Sequence, residues 1–339
     1  MTIEALTSGK FENKSMRSRR RDPQVEISAQ PQGSAKFMKQ LLRWSAVLRR
    51  QFGERVQKVS LDIGAGCPHR QGLRGGGCIF CDERGGGSGA FIQGISLREQ
   101  VRKGIAGAWK HYGTRSIILY FQSYSATNLP LERFASALQE ARDAASAWGA
   151  NVRAISVSTR PDLLPEPVLN YLEELAERCQ IWLELGVQTT DPQGLRWLRR
   201  GHGLDSVEQA LARLSKTRLR VCAHLIAGIP GEREDQLARS ALWLAERGAH
   251  ALKFHPLYVL RGTPLETLYA AGRFAPLSRE KYVERLVKAL RELPDGIVLQ
   301  RLTAGVRPAR LVAPKWILDK ESLERQIIAR FAAPSIKSL

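Results

Sequence analysis

The chain is poor in cysteine and has an odd number of them, five in 339 residues. Secreted domains stapled by disulfides carry paired cysteines, so this count points instead to a reduced compartment with thiols left for a metal. Long apolar runs are missing as well. No stretch approaches the roughly 18 apolar residues of a membrane span, and the opening MTIEALTSGKFENKSMRSRRRDPQVEISAQPQGS lacks the apolar region of a secretory leader. The expectation is a cytoplasmic protein with no membrane contact. Acidic residues are outnumbered, 33 against 52 Lys and Arg, for a formal net charge of +19. Such a balance favours a polyanionic partner, nucleic acid foremost, although a generally basic surface would read the same way.

What is present suits a globular α/β protein, with 43% apolar residues to build a core. Residues 1–35 show no periodicity and read as a flexible basic arm. From Lys36, apolar residues recur at helical spacing through Phe37, Leu41, Trp44, Leu48 and Phe52, and Gly53 offers a stop. Six β-rich runs follow, at 56–63, 116–122, 152–158, 181–187, 219–228 and 251–260. Helical patterns lie between them at 96–111, 130–148, 165–178, 191–214 and 232–248, with another at 278–292. Repeated βα units with right-handed crossovers suit a doubly wound sheet or an incomplete barrel, and in both the ligands gather at the carboxyl ends of the strands. Those ends carry polar and glycine-rich sequence: the cysteine loop, FQSYSATN, STRPD, GVQTTD, AGIPGE and VLRGTPL.

The cysteine loop GCPHRQGLRGGGCIFC places Cys67, Cys78 and Cys81 together, with Cys78 and Cys81 as C-x2-C. A structural zinc site wants four ligands, and His69 is the nearby candidate for the fourth, at an unusual two-residue spacing from Cys67. An iron–sulfur cluster is also normally held by four cysteines, so three leave one iron open, as a catalytic metal requires. Cys179 and Cys222 fall within helix and strand patterns and read as core residues.

In order along residues 36–316, VSLDIGAGCPHRQGLRGGGCIFC, YFQSYSATN, SVSTRPDLLP, ELGVQTT, RRGHGLDS, VCAHLIAGIPGE, HPLYVLRGTPL and QRLTAG resemble motifs of the YhcC/YtqA-like family of radical S-adenosylmethionine (SAM) proteins. The chain is also similar to the radical SAM domain of the Elongator catalytic subunit, a tRNA wobble-uridine modifying enzyme, and the expectation is the radical SAM module alone, with no room for that protein's acetyltransferase domain. The long C-x10-C gap, in place of the superfamily's usual C-x3-C, is shared by these two groups.

The resemblance implies a partial (β/α)6 TIM-type barrel at 36–262 with a small C-terminal extension, 263–339, packing on it. It implies a [4Fe-4S] cluster on Cys67, Cys78 and Cys81, whose fourth iron is chelated by SAM. Reductive cleavage of SAM would then give methionine and a 5′-deoxyadenosyl radical, with the electron drawn from flavodoxin or ferredoxin. The implied SAM contacts are Gln122, Ser123, Ser158, Arg160, Glu184, Gln188, Arg200 and His224, with backbone carbonyls of 122–125 replacing the superfamily's usual GGEP. The implied substrate is tRNA, modified at a wobble uridine. A radical SAM protein working on or with a protein partner, and a non-catalytic zinc and RNA-binding protein, stand as alternatives.

Several residues keep a plainer reading. Glu184 is either a SAM contact or a buried strand carboxylate paired with Arg160. His224 alternates with Cys222 and Ile226 and by itself reads as a core histidine. Arg43, Arg49 and Arg50 are candidate phosphate contacts, whereas no aromatic-rich stacking motif is evident in the sequence. Arg301, Arg310 and Trp316 are left without a role.

Overall fold

The computed structural model describes residues 41–71 and 76–334, all within one compact unit. The arm at 1–35 and the helix onset at Lys36 and Phe37 lie outside them. Strands in chain order are β1 Gln57–Leu61, β2 Ser116–Phe121, β3 Asn151–Thr159, β4 Gln180–Gln188, β5 Arg220–Ala227, β6 Ala251–Pro256, β7 Val259–Leu260, β8 Val298–Arg301 and β9 Leu311–Ala313. Helices are α1 Trp44–Phe52, α2 Pro68–Gln71, α3 Leu97–Tyr112, α4 Leu131–Ala147, α5 Glu166–Ala176, α6 Pro192–Trp197, α7 Leu204–Leu214, α8 Gln236–Glu246, α9 Pro264–Ala270, α10 Arg279–Glu292 and α11 Lys320–Ala332.

Seven strands in the order β1-β2-β3-β4-β5-β6-β8, every neighbouring pair parallel, curl into a partial TIM-type barrel. β2 shows why its SIILYF run has no polar alternation: all six residues are buried, because a parallel sheet of this kind is covered on both faces. Ile117 and Leu119 face the helices, where Val101 and Ile105 of α3 and Phe134 and Leu138 of α4 close over them. Each large side chain so buried contributes roughly 1.5–3 kcal/mol.

The strands' inward faces form layers. At the amino end Ile118, Ala154, Trp182, Cys222 and Ala251 pack together, and α1 seals them with Leu48. The Trp44 and Trp182 rings meet edge-on, 4.7 Å between centroids. α1 therefore closes the end of the barrel away from the strands' carboxyl ends. Its exposed Arg49 and Arg50 lie on that closed end, and Arg43 is paired with Glu324 at 2.5 Å.

Three elements differ from the sequence reading. A seventh strand, β8, joins the sheet beside β6, so residues after 262 complete the barrel as well as cover it. The helix expected over 191–214 is two, α6 and α7, broken where Arg199 and Gly201 adopt φ of +53° and +72°. A Cβ on Gly201 would sit 2.5 Å from the His69 ring, so close packing against the cysteine loop sets the break. The run at 251–260 also divides, and its last two residues, β7, pair antiparallel with β9. Cys222 is fully buried as expected, but Cys179 is half-buried on the bend between α5 and β4 rather than inside a helix.

Candidate active site

The cysteine loop leaves β1 through Asp62, a buried carboxylate that shapes its start. Asp62 Oδ1 accepts from the Gly64 amide (3.2 Å) and Oδ2 from the Phe91 amide (3.4 Å). Cys67 and Cys78 are buried and Cys81 half-buried. Arg70 donates to the carbonyls of Cys81 (3.2 Å) and Asp82 (3.0 Å), while the Tyr124 hydroxyl donates to the Glu83 carbonyl (2.6 Å). From the carboxyl-terminal side Arg310 reaches Asp82 (3.2 Å) and Glu83 (2.7 Å). Three separate parts of the chain thus hold the C-x2-C turn in place.

All three cysteines line one cleft at the carboxyl ends of the strands, enclosing about 1200 Å³ of space including its open mouth. Burial, with the neighbouring Cys78 and Asp82, pushes the Cys81 thiol up to about 12. Sulfurs brought together this way ionise readily only beside a strong positive charge, which is the chemistry of a thiolate-bound metal group. Among the described residues no set of three His, Cys, Asp or Glu side chains converges closely enough to hold a single ion. His69 Nε2 lies 2.7 Å from the Arg199 carbonyl and is engaged there.

Gln122, Ser123, Ser158, Arg160, Gln188, Arg200 and His224 all line the same cleft. Five lining side chains end in buried polar atoms with no hydrogen-bond partner: Ser123 Oγ, Ser125 Oγ, Arg160 Nη1, Gln188 Oε1 and Arg200 Nε. Buried polar atoms are almost always paired, so such a gathering marks a place for a polar ligand. Backbone strain collects here too, with φ of +89° at Ser123, +54° at Tyr124 and +78° at Gln188. Arg200 Nη1 donates to Cys78 Sγ at 3.1 Å and Nη2 to the Gly186 carbonyl. A Cβ on Gly186 would sit 2.9 Å from Gln188 Nε2, so this glycine leaves room for both side chains.

Glu184 is placed differently. It is fully buried below the cleft and absent from its lining. It is not paired with Arg160, whose Nε and Nη2 bond Asp162 at 2.9 and 2.7 Å. Instead Oε1 takes Lys58 Nζ and Ser156 Oγ (2.6 Å), and Oε2 takes Lys253 Nζ (2.9 Å) and lies 2.9 Å from His224 Nε2. Burial opposes its charge, yet Lys253 and Lys58 outweigh that and hold the carboxyl well below the usual range. Burial and Lys253 push the His224 imidazole down to about 3, so it is neutral at pH 7. Tyr120 and Gln300 complete the layer through Lys253 (3.3 Å) and Lys58 (2.8 Å). Every strand of the barrel contributes one residue to it.

The sequence reading missed Tyr120, Lys253, His255 and Tyr258 on the lining, and Arg301, left without a role there, lies on it too. A signal for two of them was available, because Lys253 and His255 alternate within their strand and pair in register with His224 and Ile226. Arg310 serves the cysteine loop rather than the cleft, and Trp316 packs on Tyr282 away from it.

Similarity to known proteins agrees with this arrangement. The chain is 34% identical over 277 residues to the uncharacterized protein YtqA of Bacillus subtilis, covering 80% of this chain and 84% of that one. It is 26% identical over 184 residues to a tRNA uridine(34) acetyltransferase of Methanocaldococcus infernus, covering 53% of this chain and 34% of the relative. Among solved structures the archaeal M. infernus Elp3 lacking residues 1–46 superposes with a TM-score of 0.61 at 20% identity, over 81% of this chain and 63% of that one. The Radical_SAM C-terminal domain matches residues 249–332 and the radical SAM superfamily matches residues 61–244, so the chain belongs to the radical SAM superfamily and is a radical SAM enzyme.

Proposed function

We propose that Cys67, Cys78 and Cys81 hold the family's [4Fe-4S] cluster and that SAM lies beside it in the cleft, for modification of a wobble uridine in tRNA. The observation that carries the first part is the ring of five unpartnered buried polar atoms around a cleft walled by three cysteines. When bound, cluster and SAM together supply a one-electron reductive cleavage that generates a hydrogen-abstracting radical, with the electron arriving from a flavodoxin or ferredoxin.

The chain's own residues do the rest by holding and shielding. The guanidinium of Arg200, aimed by Cys78 and Gly186, and the free Nη1 of Arg160 match a carboxylate. Gln188 and Ser158 stand at strand ends where ribose hydroxyls can be bonded, and residues 122–125, turned by φ of +89° at Ser123 and +54° at Tyr124, line the cleft where an amine can be held. His224, neutral and fixed by Glu184, offers a polar edge to SAM without adding charge. Phe80, Tyr258 and Leu260 give the cleft apolar walls that exclude water.

Similarity to tRNA uridine(34) acetyltransferases and the +19 charge support the tRNA substrate. Anaerobic reconstitution tests the first part: an iron–sulfur absorbance and 5′-deoxyadenosine formed with dithionite are expected, and absence of both overturns it. Nucleosides of tRNA from cells with and without the gene test the second. A changed wobble uridine is expected, and identical profiles overturn the tRNA reading.

A further inference from the structure

We propose that the barrel carries a second RNA-contact surface, remote from the cleft, formed by Trp109, Tyr112 and Trp148 with Arg55, Arg115 and Lys110. It rests on the tRNA reading above. Trp109 and Trp148 are the exposed tryptophans among the described residues, at 56% and 50%, and Tyr112 is 44% exposed. Grouped rings of that size left about half in water can mark a contact surface, whereas single exposed rings do not.

The three rings come from two helix ends, and cations pack against them. Trp109 and Tyr112 occupy the last turn of α3, three residues apart and so on neighbouring faces. Trp148 ends α4. The Arg115 guanidinium stands 5.3 Å from the Trp109 ring centroid and donates to the Trp148 carbonyl at 3.2 Å, which links the two helix ends. The Arg55 guanidinium lies 4.0 Å over the Tyr112 ring, and the Thr114 hydroxyl donates to the Arg55 carbonyl at 2.7 Å. Among the described residues no carboxylate is within ion-pair distance of Arg55, Arg115 or Lys110. Arg102, which faces the Trp148 ring, is committed to Glu99 and is not part of the site.

Unpaired guanidinium groups interleaved with exposed rings suit RNA, since phosphates take the charges and unstacked bases take the faces. A protein interface would use the same rings and arginines, so it is the positive charge left without a carboxylate among the described residues, in a chain of net charge +19, that selects a polyanion. The C-terminal end of α3 lies at the strands' amino ends, and its sixteen residues span about 24 Å at 1.5 Å per residue. An RNA touching both cleft and patch must therefore extend at least about that far beyond the base held in the cleft, along the outside of the barrel.

Fluorescence anisotropy tests this with a full-length unmodified tRNA transcript and with its anticodon stem-loop alone. For Trp109→Ala/Trp148→Ala, affinity for full-length tRNA is expected to fall at least about tenfold, while the stem-loop and the melting temperature stay unchanged. Arg115→Gln is expected to lower the salt slope by about one, and Trp109→Phe/Trp148→Phe to retain most of the affinity. Full-length binding within twofold of wild type overturns the proposal, and so does an equal loss for both RNAs; a patch reserved for a protein partner gives the first of these. Wild-type protein that binds neither RNA defeats the tRNA reading itself, a separate failure.

Discussion

Below the cleft, the other six strands of the barrel each set one polar side chain around or near Glu184 of β4, and both of its oxygens are engaged. Nearer the carboxyl ends of the same strands, Ser123, Arg160, Gln188 and Arg200 end in buried atoms with no partner. The two layers share a scaffold, yet one is closed around its carboxylate, with only Tyr120, His224 and Lys253 reaching the cleft, and the other is open. A satisfied buried network fixes the barrel's shape, whereas unsatisfied atoms in a preformed cavity wait for a ligand and cost stability until it binds. The difference separates Glu184, which the sequence grouped with the ligand contacts, from the residues that line the cleft.

Breaking the open layer at its cysteine wall has the largest expected effect. Cys67→Ala, Cys78→Ala and Cys81→Ala should each lose bound iron and lower SAM cleavage at least about a hundredfold, whereas Cys222→Ala and Cys179→Ala retain both, as iron assay and 5′-deoxyadenosine yield will show. Breaking the closed layer should instead strike the fold. Glu184→Ala leaves Lys58 and Lys253 close together without their counter-charge and should cost about 3–5 kcal/mol in chemical denaturation, with Glu184→Gln costing less because the amide still bonds Ser156. Equal stability of Glu184→Ala and wild type would end the distinction between the layers.

Glu232 sharpens the comparison as a half-buried glutamate on which Arg285 acts too weakly to offset burial. Burial pushes its carboxyl up to about 7, against a bond from the Thr189 hydroxyl (2.5 Å). The folded chain therefore holds a proton at pH 5–7 that the unfolded chain has released, so this group's contribution to stability falls as pH rises from about 4.5 to 7. Glu232→Gln should remove a pH-dependent loss on the order of 2–3 kcal/mol, read as melting temperature at pH 5.5 and 7.5. The smallest effect belongs to Gln188, whose φ of +78° is strained for any residue but glycine. Gln188→Gly should stabilise the chain by up to about 1 kcal/mol while weakening SAM binding about tenfold by calorimetry; a variant that binds SAM as wild type does would remove Gln188 from the site.

The three cysteines and the run of strand-end motifs were legible in sequence because ligand spacing and βα rhythm are local properties. So were the cores of six strands and most helices, whose apolar periods match the faces they bury. The break between α6 and α7 was not, since it depends on His69 packing against Gly201, 132 positions away in the chain. β8 was missed because four residues with two buried make too short a pattern.

The sequence by itself determined the chemistry this protein carries: a thiol loop one ligand short, set in a repeated βα chain with a large positive charge. Tertiary structure alone decided which polar residues are spent and which are free. Glu184 and Gln188 lie four residues apart on one strand, but the first meets two lysines from β1 and β6 and the second meets open space. It also brought Trp148 and Arg55 up to the Trp109–Arg115 stretch, where Arg115 joins the ends of α3 and α4. Burial and partnership depend on chain segments far apart in sequence, and closing the barrel is what brings those segments together.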